Sequence, residues 1–301
     1  MTITVLVPDE RGEAALTGVD GIEVVRFDSV ETMPERAEVL VPGFLADPDP
    51  AAFVTRLPRL KLIQLLTAGA EHWVGRVPSH VTVSIARGAH GGSTAEWALA
   101  TLLAVYRELI PFERDRVTRT WLRRPTETLL DKKVLVIGAG DLGTQFKRRL
   151  DACDARTTMV GFRARAGVHG IDEVPALLGE HDAVVLMVPL TPATTGMVDA
   201  EFLSRMRDGA VLVNAARGKV VDTSALVAEL ATGRLRAALD VTEPEPPPAD
   251  HPIWTVPNLL LTPHVAASVD GYESRAYAVA AAEIARFAAG EPLQNVVQGD
   301  Y

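Results

Sequence analysis

Cysteine is almost missing from this sequence: of 301 residues, only Cys153 carries a thiol. One thiol cannot form an intramolecular disulfide, nor by itself a structural zinc site, so the chain has to fold by burying apolar surface. A reducing cytoplasm is the expected setting. Long apolar runs are missing as well. Nothing approaches the roughly 18 residues that a membrane span needs. Met1-Thr2-Ile3-Thr4-Val5 enters a strand pattern directly, without the basic stretch and apolar core of a leader. Neither membrane insertion nor secretion is expected. Basic charge is in deficit too, since 30 Lys and Arg face 39 Asp and Glu for a net charge of −9. That balance opposes extended binding to a nucleic-acid backbone and leaves small anions as the expected ligands.

What is present is ordinary globular material, 48% apolar and 23% charged. A chain of 301 residues exceeds one typical core and fits two domains with a cleft. In the first third, β-branched runs at Ile3 to Val7, Glu23 to Phe27, Val39 to Val41, Leu60 to Leu66 and Val81 to Ile85 alternate with turns and helical stretches. This rhythm predicts a small parallel sheet covered by helices on both faces. The loop Gly88 to Thr94 then leads into a helix from Ala95 to Tyr106, read as the crossing between domains. A second series follows at Lys133 to Ile137, Thr157 to Phe162, Ala183 to Val188, Ala210 to Asn214, Arg236 to Asp240 and Leu259 to Leu261. Six such strands suit a dinucleotide-binding sheet. The last helix, Tyr272 to Ala289, stops at Gly290 with Pro292 beyond and is expected to return to the first domain. Glu243-Pro244-Glu245-Pro246-Pro247-Pro248 reads as a stiff loop.

A G-x-G-x-x-G lies between the strand Lys133 to Ile137 and a helical pattern, as Gly138-Ala139-Gly140-Asp141-Leu142-Gly143. Gly138 permits the tight turn, Gly140 lets the backbone approach a pyrophosphate, and Gly143 allows close packing of helix on strand. Free N–H groups and a partial positive charge at the helix start favour phosphate. Without that flanking pattern the same glycines would be only a strand-to-helix turn. Three later segments each bring an ionisable residue to the carboxyl end of a predicted strand, where ligands bind in open α/β sheets. They are Asn214-Ala215-Ala216-Arg217-Gly218, Leu239-Asp240-Val241-Thr242-Glu243-Pro244-Glu245-Pro246 and Leu261-Thr262-Pro263-His264-Val265-Ala266.

Together with the glycine-rich turn and Val188-Pro189-Leu190-Thr191-Pro192, these segments resemble the D-isomer-specific 2-hydroxyacid dehydrogenase family over nearly the whole chain, in the manner of glyoxylate and hydroxypyruvate reductases. The resemblance implies an α/β fold of two doubly wound parallel-sheet domains. A smaller, flavodoxin-like substrate domain would comprise 1–94 and 270–301, and a Rossmann-type nucleotide domain 95–269. It also implies hydride transfer between NAD(P)H and a small 2-oxo acid. Arg217 becomes the substrate arginine, Glu245 the orienting carboxylate and His264 the acid/base. Ala68 and Gly69, within Thr67-Ala68-Gly69-Ala70-Glu71-His72, resemble the loop whose N–H groups hold the substrate carboxylate. Gly138, Gly140, Asp141, Leu142, Gly143, Pro189, Ala215, Asp240 and His264 become cofactor contacts.

The chemistry asks for the same residue types. Reducing a 2-oxo acid creates an alkoxide that needs a proton, and a histidine titrating near neutrality can give it and take it back. Glu245 would fix the ring tautomer, and Arg217 offers a planar fork to carboxylate and carbonyl oxygens. Taken singly, His264 would more often be a satisfied core residue, Arg217 a salt bridge and Glu245 a solvated carboxylate. Their joint spacing argues otherwise. His72, His90, His169, His181 and His251 lack such support and read as structural or surface residues, without metal-ligand spacing.

The sequence departs from the family pattern at Lys147, where a small residue is usual, and at Asp151 to Ala155, which lacks the usual glycine. With nothing after Tyr301, regulation by serine through a C-terminal domain is not expected. Oxidation of another small anion, such as formate or phosphite, and a nucleotide-sensing corepressor are the rival readings. Glyoxylate, hydroxypyruvate, pyruvate and bulkier 2-oxo acids all share the required chemistry. NADPH is expected over NADH. At the position where an NAD enzyme usually places a carboxylate, this chain has Gly161, followed by Arg163 and Arg165, with Asp172 and Glu173 further along as competing ribose contacts. A homodimer is expected from Trp97, Leu103, Tyr106, Ile110, Phe112 and Trp121, unless these fill the chain's own core.

Overall fold

Two sets of short apolar strands make two parallel sheets. A computed structural model gives the fold of residues 2–44 and 49–297; Met1, 45–48 and 298–301, which the expected substrate domain includes, lie outside the described residues. The chain divides into one compact unit of Met1–His90 with Asp270–Tyr301 and another of Gly91–Val269.

In the first unit, β1 (Ile3–Val7), β2 (Ile22–Arg26), β3 (Val39–Leu40), β4 (Leu62–Gln64) and β5 (Thr82–Ser84) alternate with helices that include α1 (Glu10–Leu16) and α2 (Pro50–Arg56). Their order is β2-β1-β3-β4-β5, all parallel. The inner strands are apolar on both faces because helices cover both, which is why they read as continuous runs rather than alternations.

The second unit begins with α3 (Gly91–Tyr106) and α4 (Leu109–Val117). Next come β6 (Lys133–Ile137), α5 (Asp141–Asp151), β7 (Arg156–Gly161), β8 (His169–Gly170), α6 (Val174–Leu177) and β9 (Ala183–Leu186). The chain continues through α7 (Ala200–Arg205), β10 (Val211–Asn214), α8 (Thr223–Ala231), β11 (Arg236–Leu239) and β12 (Leu259–Leu261). The seven strands are parallel in the order β12-β11-β10-β9-β6-β7-β8. The order reverses between β6 and β9, the switch point where such sheets bind ligands. Val134 to Ile137, Val184 to Leu186 and Val211 to Val213 are fully buried, and each such side chain contributes about 1.5–3 kcal/mol.

The final helix, α9 (Tyr272–Ala289), packs Ala276, Tyr277, Ala280 and Ile284 into the first unit. It ends at Gly290 in the left-handed conformation, φ 71°.

The expected pair of doubly wound α/β domains is therefore what the chain forms, with three local differences. The second sheet has a seventh strand, β8, whose two residues are too short for any periodicity to show. Helix α3 starts at Gly91, inside the predicted loop, because burial of Thr94, Ala95 and Ala98 overrides the weak helix propensity of Gly91-Gly92-Ser93. It opens the second unit, which begins at the same residue. The absent glycine after α5 is replaced by Asp154, which takes up the left-handed φ of 56° itself. Lys147 points along the surface to Asp151 at 2.7 Å. Among the described residues, no helix is long and apolar enough to cross a membrane.

Candidate active site

The switch point is built of backbone. Gly138 leaves β6 at φ 123°, and a Cβ on it would stand 2.3 Å from the Met187 carbonyl oxygen beyond β9. A Cβ on Gly143 would stand 1.8 Å from the Gly138 carbonyl oxygen. Both positions are thus closed to any other residue by the chain's own packing. Gly140, which caps α5, differs, since nothing lies within 4 Å of its missing Cβ. Open space in front of amides at a helix start is what a pyrophosphate requires, so these residues fit a dinucleotide. Asp141 and Leu142 form the first turn of α5. Nearby, Thr194 Oγ1 donates to the Pro189 carbonyl at 2.7 Å and holds the loop after β9, while Ala215 N donates to Leu186 O at 3.3 Å.

At the end of β7, Arg165 reaches back to donate to the Ala139 carbonyl at 2.9 Å. A Cβ on Gly161 would fall 2.8 Å from the guanidinium of Arg165. A guanidinium therefore stands where a ribose-binding carboxylate is usual. Arg163 lies exposed two residues before it. Glu173 is committed elsewhere, accepting from Gly170 N at 2.8 Å and pairing with His169 Nδ1 at 2.6 Å.

Beyond β10, β11 and β12 the site is built of side chains. Asn214 is buried, donates from Nδ2 to the Arg217 carbonyl at 3.0 Å and accepts from Ala216 N at 3.0 Å, which fixes the turn carrying Arg217. Gly218 lets this turn pack on the next, because a Cβ there would meet the Thr242 carbonyl at 1.8 Å. Asp240, only 3% exposed, spends both carboxylate oxygens on the loop after β12. Its Oδ1 accepts from Thr262 Oγ1 at 2.6 Å and Val265 N at 2.9 Å, and its Oδ2 from Ala266 N at 2.8 Å. The Asp240 carboxylate thus ties the end of β11 to the loop after β12.

That loop holds His264 at φ 53°, a left-handed conformation that costs a non-glycine residue about 1–3 kcal/mol. Hydrogen bonds to a charged group are worth about 1.5–3 kcal/mol each, so the three on Asp240 offset the cost. The His264 backbone N–H adds a bond to the Asp240 carbonyl at 2.7 Å. The ring is thereby aimed at Glu245, with Nδ1 to Oε1 at 2.6 Å, and Thr242 N donates to Glu245 Oε2 at 3.3 Å. The hydrogen bond that His264 donates to Glu245 raises the His264 pKa above the ordinary imidazole value, against burial and the charge of Arg217. Burial pushes the Glu245 carboxyl up, but the bond and charge of His264, the Thr242 amide and Arg217 together hold it below the usual range. Arg217 is thus close enough to act on both.

The second unit therefore brings together Arg217, Glu245, His264 and Asp240 at one end of a sheet edge, with the glycine turn, Pro189 and Ala215 along it. Ala68 and Gly69 stand in the first unit, in the loop after β4, where Thr67 Oγ1 donates to the Gly69 carbonyl at 2.7 Å. Asn214 and Thr262 escaped the sequence reading as site residues. An Asn at a strand end two residues before a turn amide is an Asx-turn signature, and was the available signal.

A Rossmann-type sheet of this order, with a hydrogen-bonded histidine and carboxylate on its carboxyl edge, belongs with the nicotinamide-dependent oxidoreductases. Residues 99–266 match the family described as D-isomer specific 2-hydroxyacid dehydrogenase, NAD binding domain. The chain belongs to this family, whose members move a hydride between NAD(P)H and small 2-oxo or 2-hydroxy acids. It is 30% identical over 298 residues to a glyoxylate reductase of Thermofilum pendens, covering 89% of this chain and 86% of that enzyme. A family member from Xanthobacter autotrophicus, solved with NADPH and MES, superposes with a TM-score of 0.85 at 32% identity, covering 99% of this chain and 98% of that one. The NADPH-dependent glyoxylate/hydroxypyruvate reductase SmGhrA of Sinorhizobium meliloti, solved with NADP and sulfate, does so at 0.83 and 28%, covering 99% and 98%.

Proposed function

We propose that this protein reduces a small 2-oxo acid such as glyoxylate or hydroxypyruvate, with NADPH preferred and NADH usable, and that His264 is its acid/base. The observation that carries this reading is the 2.6 Å bond between His264 Nδ1 and Glu245 beside Arg217. Because Nδ1 donates to a carboxylate, Nε2 is the nitrogen left to face a substrate. The nicotinamide, when bound, supplies the hydride. His264 Nε2 gives its proton to the oxygen that becomes the hydroxyl, and takes it back in oxidation. Glu245 orients the ring and raises its affinity for the proton. Arg217 binds the substrate carboxylate and carbonyl oxygen, and N–H groups of Ala68 and Gly69 bind the carboxylate from the substrate domain.

The second unit is the nucleotide domain and the first the substrate domain. Gly138, Gly140, Asp141, Leu142 and Gly143 hold the pyrophosphate, while Pro189, Ala215 and His264 line the nicotinamide side. Asp240 serves that side through the loop it anchors. Arg165, tied to the glycine turn, and Arg163 take the 2′-phosphate of NADPH. Trp121, 98% exposed, lies with Leu109, Ile110, Val117 and Leu122 in an exposed apolar stretch. This stretch supports a homodimer, although Tyr106 fills the chain's own core and Trp97 and Leu103 pack against it. Light scattering at micromolar concentration tests this: a dimer is expected and a monomer overturns it.

The test of the function follows absorbance at the reduced-nicotinamide band with each cofactor across a panel of 2-oxo acids. Turnover of at least one acid, with a higher kcat/KM for NADPH than for NADH, is expected. No turnover of any acid, or equal use of NADH, would refute the corresponding part.

A further inference from the structure

The loop Leu65 to Ala70, after β4, has most of its carbonyls taken up inside the first unit. Leu65 O accepts from Gln64 Nε2 at 2.9 Å, Thr67 O from Ala86 N at 2.9 Å, Gly69 O from Thr67 Oγ1 at 2.7 Å and Ala70 O from Trp73 N at 2.8 Å. The carboxylate-loop reading proposed above asks this loop for N–H donors, the polarity an anion needs. One further tie is made by a side chain distant in sequence. His90 is 7% exposed, and its Nε2 lies 2.7 Å from the carbonyl of Leu66, which is fully buried.

A carbonyl oxygen can only accept, so His90 Nε2 must carry the proton, and the ring acts as a fixed donor. Its orientation is set from the side by Phe44, edge-on with ring centroids 6.4 Å apart, and Phe44 in turn lies 5.3 Å from the ring of Tyr272. Burial denies the Leu66 carbonyl a water as substitute, so loss of the donor leaves an orphan acceptor one residue before Thr67-Ala68-Gly69.

We infer that His90 is a positioning residue for substrate, holding the loop after β4 in the conformation that presents its N–H groups to the carboxylate of a 2-oxo acid. The inference rests on the carboxylate-loop reading proposed above. His90 touches neither substrate nor cofactor in this role. Its removal should loosen the grip on the anion and leave the nucleotide domain as it is.

The experiment measures steady-state reduction of glyoxylate by NADPH, with NADPH affinity from fluorescence titration and folding from thermal melts. His90→Leu should raise the KM for glyoxylate about tenfold, with NADPH affinity unchanged and kcat falling much less than KM rises. His90→Gln, which keeps an N–H donor of similar reach, should recover most of the loss. Gly69→Asp, which sets a carboxylate in the loop, tests the underlying reading and should raise the same KM. If Gly69→Asp raises KM while His90→Leu does not, the loop reading stands and the His90 inference falls. The inference falls as well if His90→Gln is no better than His90→Leu, or if the rise in KM comes with equal losses in kcat and NADPH affinity. If neither His90→Leu nor Gly69→Asp moves KM, the carboxylate-loop reading has failed and takes the inference with it.

Discussion

The carboxyl edge of the seven-stranded sheet has two ends that work by opposite means. Around β6, β7 and β9, function depends on side chains that are absent: Gly138 and Gly143 let main chain touch main chain, and Gly140 leaves an opening. Around β10, β11 and β12, it depends on side chains tied to one another, from Asn214 through Asp240 to Glu245 and His264. The first end is a fitted surface, proposed to bind the dinucleotide. The second is a hydrogen-bonded network that holds the His264 backbone in a left-handed conformation and shifts the proton affinity of its ring.

The contrast can be broken most sharply at His264. His264→Ala should lower turnover by about 10² to 10⁴ and leave NADPH binding within a few-fold of wild type, since the binding end is separate. Equal losses in both would mean that the two ends are not distinct. Arg165→Ala should do the reverse. The KM for NADPH should rise about ten- to a hundredfold, as expected for a lost charge-assisted contact, with little change for NADH or in kcat. An equal effect on both cofactors would return Arg165 to a merely structural role on the Ala139 carbonyl.

Glu245→Gln leaves a hydrogen-bonding partner at His264 but removes its charge. Because Glu245 raises the His264 pKa, the variant ring should lose its proton at lower pH, and reduction near neutrality should drop about tenfold. An unmoved pH profile would show that orientation alone is the contribution of Glu245. The smallest effect belongs to Gly140→Ala, which meets no protein atom and should keep its melting temperature while weakening NADPH a few-fold. A drop in melting temperature there would blur the distinction from Gly143, where the same methyl has nowhere to go.

These two ends were legible to different degrees. The binding end is local: a strand, a glycine-rich turn and a helix lie within about twenty consecutive residues, and the span Lys133–Ile137 could be read directly from its apolar run. Arg217, Glu245 and His264 could be named because each follows a strand, but what joins them is not local. The Asp240 carboxylate bonds residues 22 to 26 positions away, so its role as the anchor of the His264 loop is invisible to spacing. Left-handed backbone at His264 and Asp154 was hidden for a related reason, since glycine is the usual marker of such positions and neither residue is glycine. The tie from His90 to Leu66 spans 24 residues, and a lone histidine before a helix gives no sign of it.

The pH dependence of kcat/KM for glyoxylate reduction by NADPH, measured from about pH 5 to 10 on wild type and His264→Ala, tests the proton-carrying network most directly. The structure raises the His264 pKa, and in the proposed mechanism reduction consumes its proton, so the wild-type rate should hold at low pH. It should fall as pH climbs through a value above the ordinary imidazole pKa of about 6.5. His264→Ala should be slow throughout and lack that limb. The same limb in both proteins, or a wild-type rate that rises with pH across this range, would contradict the account.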